Sequence, residues 1–206
     1  MVDIRIMACQ RRSKNVECLL SQLHLSEDAV TWDDRPNGGD AMYTARKAWL
    51  HPLPVDATHR VVLQDDVTVC DGFTAIVTAI AQAHPDCAVS GINFLRPFDY
   101  RRYATPYHKA VAMSGCMIML PTRIIIPCMD WCNALTDSEV KPHDDLCISM
   151  YCETHSITML TTYPNIVQHP DDDTLLPYKY NWVRTSHFFD PHAQADWGNE
   201  EIIGIT

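Results

Sequence analysis

No apolar run in this sequence approaches the ~18–20 residues that a bilayer-spanning helix needs, so no membrane partner is expected. The opening MVDIRIMACQRR also lacks the order of a secretory signal, because Asp3 comes early and the Arg pair follows only a short apolar stretch. CxxC and paired zinc-ribbon spacings are absent, and the nine Cys are odd in number and scattered. That excludes a disulfide scaffold and a structural zinc module, and it favours a reduced, cytoplasmic protein whose thiols act as small core side chains. Positive charge is scarce: 16 Lys and Arg face 26 Asp and Glu, a net charge of −10. A surface that grips nucleic acid or anionic lipid over its whole extent is therefore excluded, although a local basic patch is not. Internal repeats and low-complexity tracts are missing, and only 7 of 206 residues are Gly, so collagen-like and disordered classes fall away.

What is present is an alternation of strand and helix signals. Residues 2–9 read as a strand rich in β-branched residues. Val16, Leu19, Leu20 and Leu23 recur at helical spacing behind Ser13, a candidate N-cap. A short strand over 29–32 ends at Asp33-Asp34, and a turn, RPNGGD, precedes a helix running to Trp49. HRVVLQ (59–64) is a buried strand ending at Asp65-Asp66, followed by a helix opened by Asp71 or Gly72 and by a strand over 87–94. This β-α-β order predicts an α/β layered sheet, in which ligands collect at the carboxyl ends of strands. Three polar clusters fall at those ends: Gln10-Arg11-Arg12, Asp33-Asp34 and Asp65-Asp66. Further on, 95–109 reads as a loop of interleaved Arg and aromatic residues, 110–120 as a long strand, Thr122 onward as a helix, and His143-Asp144-Asp145 as the start of another helix. A strand over 156–162 leads to Tyr163-Pro164-Asn165-Ile166-Val167-Gln168-His169, and the remainder reads as a tail that wraps the domain or covers it as a lid.

Several of these residues are suited to chemistry. Adjacent carboxylates ending a buried strand repel unless a cation stands beside them, and hard divalent cations favour oxygen ligands. Asp65 and Asp66 fit that need, although a turn-forming Asp pair satisfies the sequence equally well. His169 could complete a carboxylate-imidazole set suited to Mn²⁺. Asp144 or Asp145 is either a helix cap or a general base. Arg11 and Arg46 could hold a diphosphate, with Asp33 on a ribose or base edge. In the loop, Arg101, Arg102, Tyr103 and Tyr107 are candidates for phosphate contact and stacking.

Taken together, VVLQDDV, SGCMIMLPTRII and HDDLCISMYCETHSITMLTTYPNIVQH resemble the metal motif, the acceptor-side strand and helix, and the late acidic and histidine segment of the GT-A glycosyltransferases. The resemblance spans about residues 2–170 and departs at Gln64, where that family's motif begins with an acid. It implies a GT-A type, Rossmann-like mixed sheet flanked by helices, forming a single domain over 1–170. A donor half (about 1–94) and an acceptor half (about 95–170) would be followed by a C-terminal tail or lid at 171–206. It also implies transfer of a sugar from a nucleoside-diphosphate sugar to a hydroxyl, and the small size looks more like phage-encoded or bacterial cytosolic members than Golgi enzymes. By the same resemblance, Asp66 and His169 would hold Mn²⁺ or Mg²⁺, Gln64 and Asp65 would serve the ribose or a bound water, and Asp144 or Asp145 would be the base of an inverting reaction. Arg11, Asp33 and Arg46 would bind the nucleotide. The Arg/Tyr loop makes a hydroxymethylated base in phage DNA the leading acceptor. A metal-dependent hydrolase and a non-catalytic nucleotide-sugar-binding module are the alternatives.

Overall fold

A computed structural model describes residues 1–35, 41–93, 105–135, 143–170, 186 and 188–203. Parallel strands β1 (Val2–Ala8), β2 (Val30–Trp32) and β3 (His59–Gln64) form one side of a seven-stranded sheet. The sheet continues through β7 (Met117–Pro121), β5 (Ala88–Ser90), β8 (Met159–Thr162) and β6 (Tyr107–Lys109), giving the order β2-β1-β3-β7-β5-β8-β6. β7 runs antiparallel to both of its neighbours, and β6 is antiparallel to β8. A separate two-stranded ladder joins β4 (Thr68–Val69) to β9 (Val167–Gln168).

Side-chain alternation sorts the two faces of the sheet. Ile4, Ile6, Val61 and Leu63 pack with α1 (Ser13–Leu23) and α3 (Phe73–Ala83) in one core. Met7, Val62, Ile118 and Leu120 pack with α2 (Ala41–Trp49), α4 (Thr122–Ala134) and α5 (Asp144–Thr154) in the other. The predicted α/β layering with helices on both faces is therefore present. All nine Cys are free thiols and six of them are buried, in keeping with their reading as core residues.

The differences lie in the short elements. Of the expected 110–120 strand only 117–120 pairs in the sheet, where β7 runs one residue further to Pro121, because Gly115 and Cys116 make a turn ahead of it. The expected 87–94 strand shortens to Ala88–Ser90. β6 lies within the segment read as a loop. Ser13 is the first helical residue of α1 rather than its cap, and Gly72 precedes α3 in a left-handed conformation (φ 67°) that Gly tolerates best. The described part of the tail, 188–203, wraps the domain. Ile203 bonds the exposed edge of β6 through its N–H to Tyr107 O and its carbonyl to Lys109 N, and buried Trp197 accepts the Tyr107 hydroxyl at its carbonyl. No described helix is long and apolar enough to cross a membrane.

Candidate active site

The strand directions bring several loops to one edge. The carboxyl ends of β1, β2 and β3 share it with the start of antiparallel β7, where Gln64 N donates to Cys116 O at 3.1 Å. β3 ends there in Asp65 and Asp66, each only 5% exposed. Two carboxylates that deep require positive partners. Arg12, in the 3-10 turn Gln10–Arg12 that follows β1, supplies one: its Nη1 lies 3.1 Å from Asp65 Oδ1 and 2.5 Å from Asp66 Oδ2. The Cys9 N–H donates to Asp65 Oδ2 at 2.7 Å.

His169 arrives through the β4–β9 ladder, in which Gln168 pairs with Thr68, two residues past Asp66. Its Nε2 stands 3.1 Å from Asp66 Oδ2, and its Nδ1 donates to the Pro170 carbonyl. A carbonyl oxygen only accepts, so Nδ1 carries a proton. The Nε2 contact sets a carboxylate and an imidazole side by side, the mixed oxygen and nitrogen pair that one cation can hold. Burial alone would raise the Asp66 pKa, but the His169 hydrogen bond and the Arg12 charge outweigh it and hold the carboxyl below its ordinary value. Asp65 moves the other way: burial, with the like charge of Asp66 adding to it, prevails over the Cys9 N–H and Arg12. Asp66 Oδ1 is buried without a hydrogen-bond partner.

Across a narrow gap stands the start of α5, with His143 at its N-cap position and both acidic residues in the first turn. Asp145 Oδ1 accepts from Leu146 N at 2.9 Å and Oδ2 from Gly115 N at 3.3 Å. Burial raises its pKa against those two bonds. Asp144 is buried, and its Oδ1 lies on the Gly115 side: a Cβ built on Gly115 would meet Gln64 Nε2 at 2.9 Å and Asp144 Oδ1 at 3.4 Å. Gly115 is thus the point of close approach between the end of β3 and the start of α5.

Six of the sequence-derived candidates therefore share one edge: Gln64, Asp65, Asp66, His169, Asp144 and Asp145. Others are placed differently. Arg11 is exposed, and Arg12 beside it engages the carboxylates instead. Asp33 is held by Arg35 through two guanidinium bonds, Nε to Oδ1 at 3.0 Å and Nη2 to Oδ2 at 2.8 Å, and by the Arg35 backbone N–H, and the Arg35 side-chain hydrogen bond leads the causes that lower its pKa. Arg46 is half-buried on α2 and forms no ion pair among the described residues. Tyr107 is not an acceptor contact: it is fully buried, with its ring edge-on to His84 and its hydroxyl on Trp197 O. Arg101, Arg102 and Tyr103 lie outside the described residues. The roles of Arg12 and the Cys9 N–H escaped sequence reasoning, although Arg12 belongs to the Gln10-Arg11-Arg12 cluster. Gly115 did not: a Gly within the 110–120 segment marks a bulge or a close approach, and the structure makes it the close approach.

Among the described residues, no three His, Cys, Asp or Glu side chains already converge as an ion would gather them. Compared with known proteins, the chain matches no family model and no curated sequence.

Proposed function

We propose that this chain is a GT-A type glycosyltransferase that moves a sugar from a nucleoside-diphosphate sugar to a hydroxyl acceptor with inversion. The observation that supports it is the facing of two acidic groups across Gly115: the Asp65–Asp66–His169 set at the end of β3, and Asp144–Asp145 at the start of α5. One set suits the leaving diphosphate and the other the incoming hydroxyl. The antiparallel β7 inserted between β3 and β5 is in keeping with the same reading.

Asp66 and His169 fit a divalent cation, because Asp66 Oδ1 is buried with no hydrogen-bond partner and His169 Nε2 stands 3.1 Å from Asp66 Oδ2, a carboxylate and an imidazole side by side. Mn²⁺ or Mg²⁺ held there would offset the charge that develops on the leaving diphosphate. The chain's own residues do the rest. Asp65, fixed by the Cys9 N–H, and Gln64 line the donor side. Both Asp145 oxygens are engaged by backbone N–H groups, so Asp145 fixes the α5 start against Gly115. Asp144 then takes the acceptor proton at its carboxylate. The donor nucleotide lies along the carboxyl ends of β1 and β2, the class of crevice where open α/β sheets bind ligands. The acceptor class is a hydroxyl, with a hydroxymethylated DNA base the first to screen on the strength of Arg101, Arg102 and Tyr103. One observation favours a second reading, a nucleotide-sugar-binding module: Arg12 already neutralises the acidic pair, and Gln64 stands in place of an acid.

Thermal-shift titration of wild type and Asp66→Ala with a panel of nucleotide sugars, with and without Mn²⁺, tests the proposal. One nucleotide sugar is expected to stabilise the wild type in a Mn²⁺-dependent manner, and the variant is expected to lose that response. No response to any nucleotide sinks the reading. Binding without transfer or donor hydrolysis selects the binding module.

A further inference from the structure

The Arg12 guanidinium stands between the two carboxylates that end β3, against the same Asp66 oxygen that His169 approaches. One nitrogen, Nη1, reaches both Asp65 Oδ1 and Asp66 Oδ2, with both carboxylates buried and Arg12 itself 18% exposed at its side chain. Arg12 belongs to the short turn that follows β1, and the turn's Cys9 N–H binds the same Asp65. The turn and the acidic pair are therefore tied at three points. Asp66 retains one buried oxygen, Oδ1, with no hydrogen-bond partner, so Arg12 does not satisfy the pair completely.

Resting on the reading above, we propose that Arg12 is a built-in counter-cation that competes for Asp66 with a divalent metal ion held by Asp66 and His169. Two positive groups cannot share that buried space without strong repulsion. Metal binding must therefore loosen Arg12 from at least Asp66, and the freed guanidinium lies at the carboxyl end of β1. That is where the anionic part of a nucleotide would rest, and guanidinium binds phosphate bidentately. Conversely, with Arg12 in place much of the charge on Asp66 is already offset, and the site is weak for a metal. Arg12 is a positioning residue in this scheme. It exchanges one anionic partner for another, and no bond is made or broken.

The test reads metal binding, not sugar transfer, so it stands or falls separately from the glycosyltransferase reading. Mn²⁺ affinity is measured by electron paramagnetic resonance titration of wild type, Arg12→Lys and Arg12→Gln, each checked for folding by circular dichroism. Removing the competitor is expected to tighten Mn²⁺ binding roughly tenfold or more in Arg12→Gln, in the range typical of coupled sites. Arg12→Lys is expected to fall between, and methylguanidinium added to Arg12→Gln is expected to weaken Mn²⁺ binding again. Equal or weaker affinity in Arg12→Gln overturns the proposal. Should that variant fail to fold, phenylglyoxal labelling of wild type, located by mass spectrometry, decides. Mn²⁺ is expected to speed labelling at Arg12, and an unchanged labelling rate overturns the proposal as well.

Discussion

Asp144 and Asp145 are adjacent in sequence yet unequal in surroundings, and the difference assigns them separate tasks. Asp145 has both carboxylate oxygens on backbone N–H groups, one of them belonging to Gly115. Asp144 directs Oδ1 toward the Gly115 gap, near Gln64. Asp144→Asn is thus expected to cut transfer by about 10²–10⁴-fold, the usual worth of a general base, while leaving melting temperature and donor binding near wild type. Asp145→Ala is expected to cost about 1 kcal/mol or more of stability by leaving the part-buried Gly115 N–H and the first turn of α5 without their acceptor. Steady-state kinetics, donor titration and thermal melts on both variants check the assignment, and matching phenotypes would refute it. The sequence alone left either Asp as cap or base, because the choice depends on Gly115, 29 positions before Asp144 in the chain. Arg12 and Arg11 pose the same problem: only the turn after β1 decides which guanidinium faces the carboxylates, and no periodicity records a single turn.

At the scale of elements, what was legible follows from what is local. β1, β3, α1 and α3 carry their own periodicity and polar ends, and each forms where its pattern says. The two-residue strands β4 and β9 carry no readable pattern, yet their pairing is what carries His169 to Asp66. β6 was hidden because its three residues form only by pairing with β8 and Ile203. The end of β5 shows a further long-range constraint. Gly91 O accepts from the N–H groups of Ile166 and Val167, and a Cβ at Gly91 would sit 2.1 Å from Met117 Sδ and 3.0 Å from Ile166 Cγ1. Gly91→Ala must push the buried Met117 side chain aside and press on Ile166, overpacking that costs about 1–3 kcal/mol. Because Ile166 lies in the segment that leads to His169, the variant is expected to lose melting temperature and Mn²⁺ affinity together. A melt and a Mn²⁺ titration on the same preparation check this, and a fall in neither would show that the core yields at no cost.

On the scale of the whole molecule, the wrapping tail and the buried histidines make stability a matter of pH. His59, His84 and His108 are each at most 5% exposed, and burial comes first among the causes that lower the pKa of all three. His108 is pushed down to about 4 from an ordinary 6.5. It sits in β6 with its ring edge-on to Tyr163, and its strand neighbours Tyr107 and Lys109 carry the Ile203 bonds that hold the tail. The sign follows from where protons bind. As pH falls below 6.5 the unfolded chain protonates His108 while the folded chain does not, so the unfolded state binds more protons and stability drops. The contribution is whole above about pH 6.5 and is lost progressively down to about pH 4, below which both states are protonated. Asp65 and Asp145 oppose this trend, since their raised pKa values let the folded state take up protons before the unfolded chain does, above the ordinary carboxylate value of 3.8. Urea denaturation of wild type and His108→Gln at pH 7.5, 6 and 5 separates the terms, because the carboxylates are common to both proteins. Wild type is expected to lose more stability than His108→Gln between pH 7.5 and 5, with Trp197 fluorescence reporting tail release in the same interval. Parallel losses in the two proteins would mean that the His108 environment admits a proton at little cost, and the acid sensitivity would then belong to His59 and His84.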